Sequence, residues 1–430
     1  MAHLLIIELP GGNDVDLIEA ALARGDSVTF LSAQLDHYRR QPAVWALLGA
    51  ARGLIEVPGF GEAEVAQQVL AADARCRIEA VLCLIDIRLI EAARIAHLLG
   101  LRYLNPASAV LLRDKVSVRR RLAERGIAQP AFALAESNAE LRAAVQRLGL
   151  PVLIKPADGY GSQNIVALRS EQDLDPLLSP LDDMLPSRAD YGLGVRANDR
   201  LLVERYLSGR FVGCDTLSVD GRHRLLGVHH KLMFEPPSFA MRGSTFVPYR
   251  PDSPADAAIE RYVQALLDAV GFDWGATHTE LMLTDDGPQL IEINPRLVGA
   301  KIPRLVGDTL GRSVHADLIA LHLGQALPAA PALPAAVGAL RWIVADRAGP
   351  LAAVQLPDGT DERIRRVEIL KQPGDWVAPP FENADRIGYV MVCGTERREA
   401  EQLAERFVAQ TRVVLGSAVA APVDVEAQPC

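Results

Sequence analysis

The sequence has little of what marks membrane or nucleic-acid-binding proteins. No stretch approaches the roughly 18 uninterrupted apolar residues of a membrane-spanning helix. Residues 1–8 lack the basic region and cleavage site of a secretory signal, and we interpret them as a first β-strand. A net charge of −9 argues against nucleic acid as a partner, because that role normally needs a basic field. We therefore expect neither a membrane nor a nucleic acid among the partners.

Cysteine and aromatic residues are also scarce. Five cysteines form no CxxC pair and no Cys/His spacing typical of a metal site, so reduced thiols in a cytoplasm are the simplest interpretation. Aromatic residues make up 5% of the chain and hydrophobic residues 49%, with charge spread along all 430 residues. This composition predicts a soluble globular protein of two to four domains.

The first hundred residues alternate between strand-like and helix-like runs. Such alternation is typical of an open, mostly parallel α/β sheet. The first loop, residues 10–13, is too short and wrongly spaced for a GxGxxG site, so dinucleotide binding is not expected there. The predicted segments are residues 4–7, 14–24, 27–31, 55–57, 63–72, 80–85 and 89–99.

A basic helix is predicted over residues 108–125, after the break at Asn105-Pro106. A solvated face explains most of its charges. Lys115 is the one we single out, because of the motifs that follow it. The basic residues are Arg113, Lys115, Arg119, Arg120 and Arg121.

An apolar strand that ends in Lys155 runs into a glycine-rich segment, residues 157–164. Gly159, Gly161 and Ser162 allow the backbone to fold closely over an anion and offer donors to phosphates. Lys155 adds a positive point charge. A glycine-rich segment alone is more often only a turn. The combination of a strand, a lysine and a glycine-rich segment upstream of an acidic hairpin is less common and favours nucleotide binding.

The acidic hairpin spans residues 275–294, with a turn at residues 284–288. Glu292 and Asn294 are two apart and share a strand face, and the turn brings Glu280 beside them. Oxygen ligands of this kind suit Mg²⁺. The alternative is a surface hairpin whose acids are solvated. Apolar residues at Leu290, Ile291 and Ile293 instead indicate a buried strand. Carboxylates on a buried strand need a cation, which favours the metal site.

Several further segments frame this hairpin. Arg296 lies two residues beyond Asn294 and can hold a phosphoryl oxygen with its planar fork. Two long strands, residues 211–219 and 224–232, come earlier, followed by a loop centred on residues 233–242. We expect this loop to shape a substrate pocket and exclude water, with a simple crossover as the alternative. An amphipathic helix is predicted over residues 255–270.

The last part of the chain reads as a separate unit. Helices near residue 306 and over residues 314–323 precede a Pro/Ala-rich linker, residues 327–335. The remainder is predicted to be a small α+β unit with a disordered tail, residues 418–430, and we expect no chemistry there. Its elements are strands near residues 338–344, 365–370 and 386–393 and a helix over residues 399–411.

Taken in order, these motifs resemble the ATP-grasp superfamily over nearly the whole chain. They are Lys115, the Lys155 strand with its glycine loop, residues 203–207, and Glu280 with residues 292–296. The segments Thr-His-Thr-Glu280 and Ile-Asn-Pro-Arg-Leu297 are most similar to carboxylate–amine ligases that join L-amino acids into dipeptides or related amides. The resemblance implies an N-terminal open parallel α/β domain (1–105), a central lid domain (106–205), a C-terminal ATP-grasp lobe (206–326) and a small α+β subdomain (327–430).

The resemblance also implies roles for the motif residues. Lys115 and Lys155 would contact the ATP phosphates, and residues 159–164 would form the mobile lid loop. The carboxylate of Glu204 and the backbone of Tyr206-Leu207 would form the hinge that reads adenine. A carboxylate would be activated as an acyl phosphate, with release of ADP.

For the metal, the resemblance implies that Glu280 and Glu292 bind two Mg²⁺ ions with help from Asn294, with Mn²⁺ as an alternative. Arg296 would stabilise the transferred phosphoryl group and the acyl phosphate. Related ligases are often dimers, so a homodimer is considered as well.

The chain departs from the family pattern at two places. Phe211 stands where relatives often have an acid near the ribose, and Asp215 or Glu204 is the substitute we consider. Where relatives tend to have a run of glycines after Leu297, this chain has Val298-Gly-Ala-Lys301, although backbone donors near Gly299 can still hold a substrate carboxylate. We hypothesise that Lys301 lies in the pocket and favours an extra anionic group.

The base that deprotonates the amine is left open. The candidates are His229, His230 and His278, and each is at least as compatible with a structural role. His230 or Lys231 is instead expected to face the nucleotide or substrate. The alternative functions are a carboxylase-like or purine-pathway ATP-grasp ligase, although no biotin-carrier motif is visible, and a nucleotide-binding regulatory protein without turnover.

Overall fold

A computed structural model describes residues 1–12, 14–159, 165–170, 172, 200–235, 238, 240–327, 336–359, 361–381 and 383–416. Contacts between residues divide the chain into two compact units. The first comprises residues 1–229, 248–307 and 311–333, and the second residues 230–247, 308–310 and 334–430. The finer division into four domains stays a prediction.

The N-terminal part of the first unit is the predicted open parallel sheet. Its strands are β1 (His3–Ile7), β2 (Ser27–Ser32), β3 (Gly53–Glu56) and β4 (Ala80–Cys83), in the order β3-β2-β1-β4 and all parallel. The helices are α1 (Asp16–Ala23), α2 (Leu35–Arg39), α3 (Pro42–Leu48), α4 (Glu62–Arg75) and α5 (Leu89–Leu98). The sequence analysis missed α2 and α3, because each is too short to show a helical period.

The predicted basic helix is two helices, so that expectation was wrong. They are α6 (Pro106–Leu112) and α7 (Lys115–Glu124). Asp114 separates them, because its backbone leaves the helical region and its Oδ1 accepts a hydrogen bond from the Ser117 N–H at 2.7 Å. This cap makes Lys115 the first residue of α7. The solvated-face interpretation was also wrong for Arg119, which is only 2% exposed.

A second, antiparallel sheet follows in the same unit. Its elements are β5 (Phe132–Ala135), α8 (Asn138–Leu148), β6 (Val152–Pro156), β7 (Val166–Leu168) and β8 (Leu201–Arg205), with strand order β5-β8-β6-β7. Helix α8 packs Leu141 and Val145 against Val152, Ile154 and Val203 of the sheet. This packing fixes the end of β6, which carries Lys155.

The strands that carry the acidic hairpin come next along the chain. They are β9 (Arg210–Val219), β10 (Arg222–Met233), β11 (Met241–Pro248), then helix α9 (Pro254–Val270), β12 (Gly275–Thr284) and β13 (Gly287–Asn294). In the first unit their order is β13-β12-β9-β10. The long loop expected before residue 249 is shorter than predicted, because residues 241–248 form β11.

One face of this sheet is covered by α9, and the other is left for polar groups. Helix residues Ile259, Val263 and Leu266 pack in one core with Val212 and Leu281 of the strands. Because side chains alternate along a strand, the residues between these apolar positions point to the opposite face. Glu280 and Asp215 lie on that opposite face.

The first unit ends with most of α10 (Ile302–Leu310), whose residues 308–310 are grouped with the second unit, and with α11 (Val314–His322). The second unit contains the predicted α+β fold. Its larger sheet has the order β11-β14-β18-β16, formed with β14 (Val337–Ile343), β16 (Ile364–Ile369) and β18 (Gly388–Gly394), and α12 (Arg397–Gln410) packs on it. A smaller sheet contains β15 (Gly349–Gln355), β17 (Trp376–Val377) and β19 (Arg412–Leu415). The predicted strands and helix are confirmed; residues 328–335 of the linker and the tail 418–430 lie outside the described residues.

None of the helices in the described ranges combines the length and apolar character that crossing a bilayer requires.

Two buried histidines predict how stability responds to acid. Burial lowers the pKa of His315 and of His322 to about 4, and both side chains are 6% exposed. Because the unfolded chain binds these protons near pH 6.5, stability should fall as the pH drops from 6.5 to 4, by up to about 3 kcal/mol for each histidine. We expect the thermal midpoint of His322→Gln to change less between pH 7 and 4.5 than that of the wild type. Exposed His97→Gln is the control, and equal pH dependence in all three proteins would contradict the prediction.

Candidate active site

The β12–β13 hairpin brings the predicted metal ligands together. Glu280 lies directly opposite Glu292 in the register, and His278 lies opposite Asn294. Directly opposed side chains are about 5 Å apart at Cβ, so the two carboxylates can share one cation. Their side chains are 20% and 29% exposed, which leaves them accessible. The donor set, two accessible carboxylates beside an amide oxygen, fits Mg²⁺.

Lys115 reaches this pair from the first turn of α7. Its Nζ lies 2.8 Å from Glu292 Oε1 and donates to the Gly159 carbonyl at 2.6 Å. One ammonium therefore touches both the metal-ligand strand and the start of the glycine-rich segment. Gly159 is described, whereas Gly161 and Ser162 lie outside the described residues, so their predicted phosphate contacts stay predictions.

Lys155 and Glu204 form a buried ion pair at the ends of β6 and β8. Lys155 Nζ lies 2.6 Å from Glu204 Oε2, and both residues are 3% exposed. Burial lowers the pKa of Lys155, although Glu204 opposes that effect. Burial alone would raise the pKa of Glu204, but the charges of Arg119 and Lys155 outweigh it and lower that pKa. Glu204 is thus an anion held between two cations.

The predicted hinge follows Glu204 directly. The Tyr206 backbone N–H donates to the Pro151 carbonyl at 3.0 Å, so this donor is already used within the protein. The predicted reading of adenine by Tyr206 and Leu207 therefore has to rely on their other backbone groups.

Arg296 is held from the N-terminal sheet by a residue that the sequence analysis missed. Its Nε donates to Asp86 Oδ2 at 2.7 Å, and its Nη2 lies 2.6 Å from the same oxygen. Asp86 opens a short 3₁₀ turn just after β4, at the carboxyl end of the parallel strands. Polar residues at this edge of a parallel sheet are a recognised mark of ligand sites, which is the signal that could have identified Asp86.

The other guanidinium contacts orient Arg296 along the hairpin. Its Nη1 donates to the Leu297 carbonyl at 3.0 Å and its Nη2 to Asn294 Oδ1 at 3.4 Å. Asn294 Nδ2 in turn donates to the His278 carbonyl at 3.3 Å. The planar fork is therefore fixed beside the metal-ligand strand.

Lys301 lies in an ion-pair group with the start of α1. Its Nζ is 3.0 Å from Asp14 and 3.1 Å from Asp16, and Arg304 is 2.6 Å from Asp16. Burial would lower the pKa of Lys301, but the two carboxylates outweigh it and raise that pKa. The hypothesis that Lys301 binds an anionic group of the substrate therefore requires it to leave these partners. Gly299, two residues earlier, is exposed.

Three buried polar residues lie next to the carboxylate pair. His278 Nδ1 is 2.6 Å from Asp215 Oδ1, His229 Nε2 is 2.8 Å from Asp215 Oδ2, and His278 Nε2 is 3.7 Å from Glu280 Oε1. By residue type and spacing the three could hold a metal ion. The same distances are explained without a metal if each histidine donates one N–H to one oxygen of Asp215.

Two expectations change as a result. Asp215 and Glu204 were considered for the ribose contact, but both are buried and bonded to charged or ring nitrogen atoms. Neither is therefore available to a ribose in this arrangement. His230 and Lys231 follow His229 on β10, and the expectation that one of them faces the nucleotide or substrate stays a prediction.

Comparisons with known proteins match two segments of the chain. The ATP-grasp domain model matches residues 148–303, which contain Lys155, Glu204 and the hairpin. The model of L-amino acid ligase C-terminal domain 2 matches residues 341–416.

Individual relatives are distant in sequence. Uncharacterized protein y4rH of Sinorhizobium fredii is 28% identical over 71% of this chain and 61% of its own length. L-arginine-specific L-amino acid ligase of Bacillus subtilis is 24% identical over 46% of each protein. The chain thus spans less than two thirds of the length of these curated relatives.

Among solved structures, L-amino acid ligase from Bacillus licheniformis superimposes with a TM-score of 0.78. The match covers 97% of this chain and 99% of that one, at 19% identity, so it establishes the fold. The chain therefore has an ATP-grasp fold, carries an ATP-grasp domain over residues 148–303, and resembles the L-amino acid ligases.

Proposed function

We propose that the protein is an ATP-dependent carboxylate–amine ligase that forms an amide bond through an acyl phosphate and releases ADP and phosphate. The observation that carries the proposal is the facing pair Glu280 and Glu292, with Lys115 in direct contact and Arg296 fixed on the same strand end. The matched L-amino acid ligase domain favours amino acids as the acid, the amine or both.

The chemistry explains why these residue types are needed. An amide from a free carboxylate is uphill in water, and phosphorylation supplies a good leaving group. Attack of a carboxylate on the γ-phosphorus brings two anions together, so the site needs cations around the transferring group. Glu280, Glu292 and Asn294 would hold Mg²⁺, which supplies charge neutralisation across the phosphates.

The protein's own cations supply the rest. Arg296 places a guanidinium charge beside the metal-ligand strand, where it would stabilise the phosphoryl group, and Asp86 prevents it from swinging away. Within the described ranges, Lys155 uses two of its three donors, on Glu204 and the Ile291 carbonyl, and the third would be directed to a phosphate oxygen. Lys115 would exchange its contact with Glu292 for the nucleotide when the metal binds.

Of the candidate bases, His278 has the clearest relation to this centre. Asp215 fixes its Nδ1, and its Nε2 faces Glu280. The orientation suits a contact with the substrate next to the metal. His229 donates to the same carboxylate from the far side, as a support for His278.

The rival functions differ in what they require. A carboxylase-like or purine-pathway ligase shares the fold, but the matched C-terminal domain favours the amino-acid reaction. A regulatory protein without turnover would not need Arg296 held by Asp86 beside two partly exposed carboxylates. We further propose a cytoplasmic enzyme, with a homodimer as the first oligomeric state to test.

Nucleotide product analysis tests the proposal. Purified protein is incubated with Mg²⁺-ATP and pairs of carboxylates and amines drawn first from the L-amino acids, and ADP is separated from AMP by chromatography. We expect ADP and phosphate only when both an acid and an amine are present. AMP and pyrophosphate would overturn the mechanism, and ATP binding without turnover for any pair would favour the regulatory function.

A further inference from the structure

We propose that Arg119 is a positioning residue that links the adenine side of the site to the metal-ligand strand. The inference rests on the proposed function and assigns a role to a side chain outside the motifs described above. Arg119 lies in the second turn of α7 and is 2% exposed. A guanidinium this deeply buried needs partners for its charge and its donors.

The first partner is the carboxylate of Glu204. Arg119 Nε donates to Glu204 Oε1, while Lys155 occupies Oε2. Glu204 therefore cannot rotate without breaking one of two buried ion pairs. Because Glu204 is the penultimate residue of β8 and lies two residues before Tyr206, Arg119 fixes the start of the segment predicted to read adenine.

The second partner is the backbone of the strand that carries Glu292. Arg119 Nη2 donates to the Leu290 carbonyl at 2.8 Å and to the Ile291 carbonyl at 3.0 Å, and Lys155 Nζ donates to the Ile291 carbonyl at 3.3 Å. Among the described strands, β13 is at the edge of its sheet. Edge carbonyls would otherwise depend on water. Here the Arg119 guanidinium supplies the N–H donors that a neighbouring strand would otherwise provide to these carbonyls.

The same helix face also carries Lys115. Residues four apart on a helix lie on one face, so Lys115 and Arg119 approach β13 together. Lys115 contacts the side chain of Glu292 at 2.8 Å, and Arg119 holds the carbonyl of the preceding residue. A shift of Arg119 would therefore move Glu204 and Glu292 relative to each other. The two ends of a bound Mg²⁺-ATP would no longer both fit.

This role makes a specific kinetic prediction. We expect Arg119→Met to raise the KM for ATP and the Mg²⁺ concentration at half-maximal rate by at least tenfold each. Arg119→Lys keeps the charge but lacks the fork that serves three acceptors, so it should shift both values by a smaller factor. Arg120→Met, on the exposed neighbour in the same helix, is the matched control and should change neither value.

The design separates positioning from mere stability. A variant that folds less completely loses active enzyme, which lowers kcat and leaves both half-saturation values unchanged. Values within twofold of the wild type for Arg119→Lys and Arg119→Met would overturn the inference. If Arg119→Met does not fold, Arg119→Lys decides the question alone.

A binding measurement keeps the inference separate from the proposed function. Calorimetric titration of the wild type, Arg119→Lys and Arg120→Met with Mg²⁺ and a non-hydrolysable ATP analogue needs no turnover. A weaker Kd in Arg119→Lys only would support the positioning role even if no acid and amine pair is found. Equal Kd values in all three proteins would overturn it even if the ligase activity is confirmed.

Discussion

Replacing Arg296 by Met should lower the rate of ADP formation by about 10³-fold, with little change in the KM for ATP. An arginine that stabilises a transferring phosphoryl group contributes on the order of 10³–10⁵ in kcat, and its effect appears only when charge develops in the transition state. Arg296 is already held in place by Asp86 and the Leu297 carbonyl. The loss should therefore fall on kcat, measured as ADP released with a saturating acid and amine.

Arg304→Met serves as the control for Arg296→Met. Arg304 lies eight residues later and pairs with Asp16, away from the metal-ligand strand. We expect it to retain most of the wild-type rate. A rate above one tenth of the wild type for Arg296→Met would show that Arg296 does not act on the phosphoryl group.

Substituting Glu292 by Gln should lower the rate by about 10²–10³-fold and raise the Mg²⁺ concentration needed for half-maximal activity. A metal ion supplies several kcal/mol of charge stabilisation in the transition state, and an amide is a weaker ligand than a carboxylate. The substitution also removes the negative charge that lies 2.8 Å from Lys115 Nζ. Mg²⁺ titration of the initial rate checks the prediction, with Glu280→Gln expected to behave alike.

Asp286→Asn provides a matched change on the same hairpin. Asp286 is an exposed carboxylate in the β12–β13 turn, far along the strands from Glu280. It should leave both the rate and the Mg²⁺ dependence near those of the wild type. If Glu292→Gln shows the same Mg²⁺ dependence as Asp286→Asn, the facing carboxylates are not the metal site.

Local patterns in the sequence identified much of the fold. Alternating apolar residues predicted β12 and β13, and the paired register then put Glu280 opposite Glu292, as expected. The break between α6 and α7 was missed because Asp114 sits inside a run that is otherwise helix-forming, and its capping bond is a local detail. The strand β11 was missed because residues 233–248 contain proline, which argues against a strand.

Long-range contacts account for the functional residues that were missed. Arg119 looked like one more charge on a basic helix, and nothing in its neighbours indicates that Leu290 and Ile291, about 170 positions later, take its donors. Asp86 is likewise 210 positions from Arg296. Lys301 looked available to a substrate because Asp14 and Asp16 are 287 and 285 positions away.

The sequence by itself therefore determined the types and order of most elements and the residues that face one another across a hairpin. These depend on interactions between residues close along the chain, such as strand alternation and turn formation. Only the tertiary structure decided which charges are neutralised and which remain for a ligand. That outcome depends on burial and on partners brought together from distant segments, since a buried charge persists only where folding supplies its counter-charge.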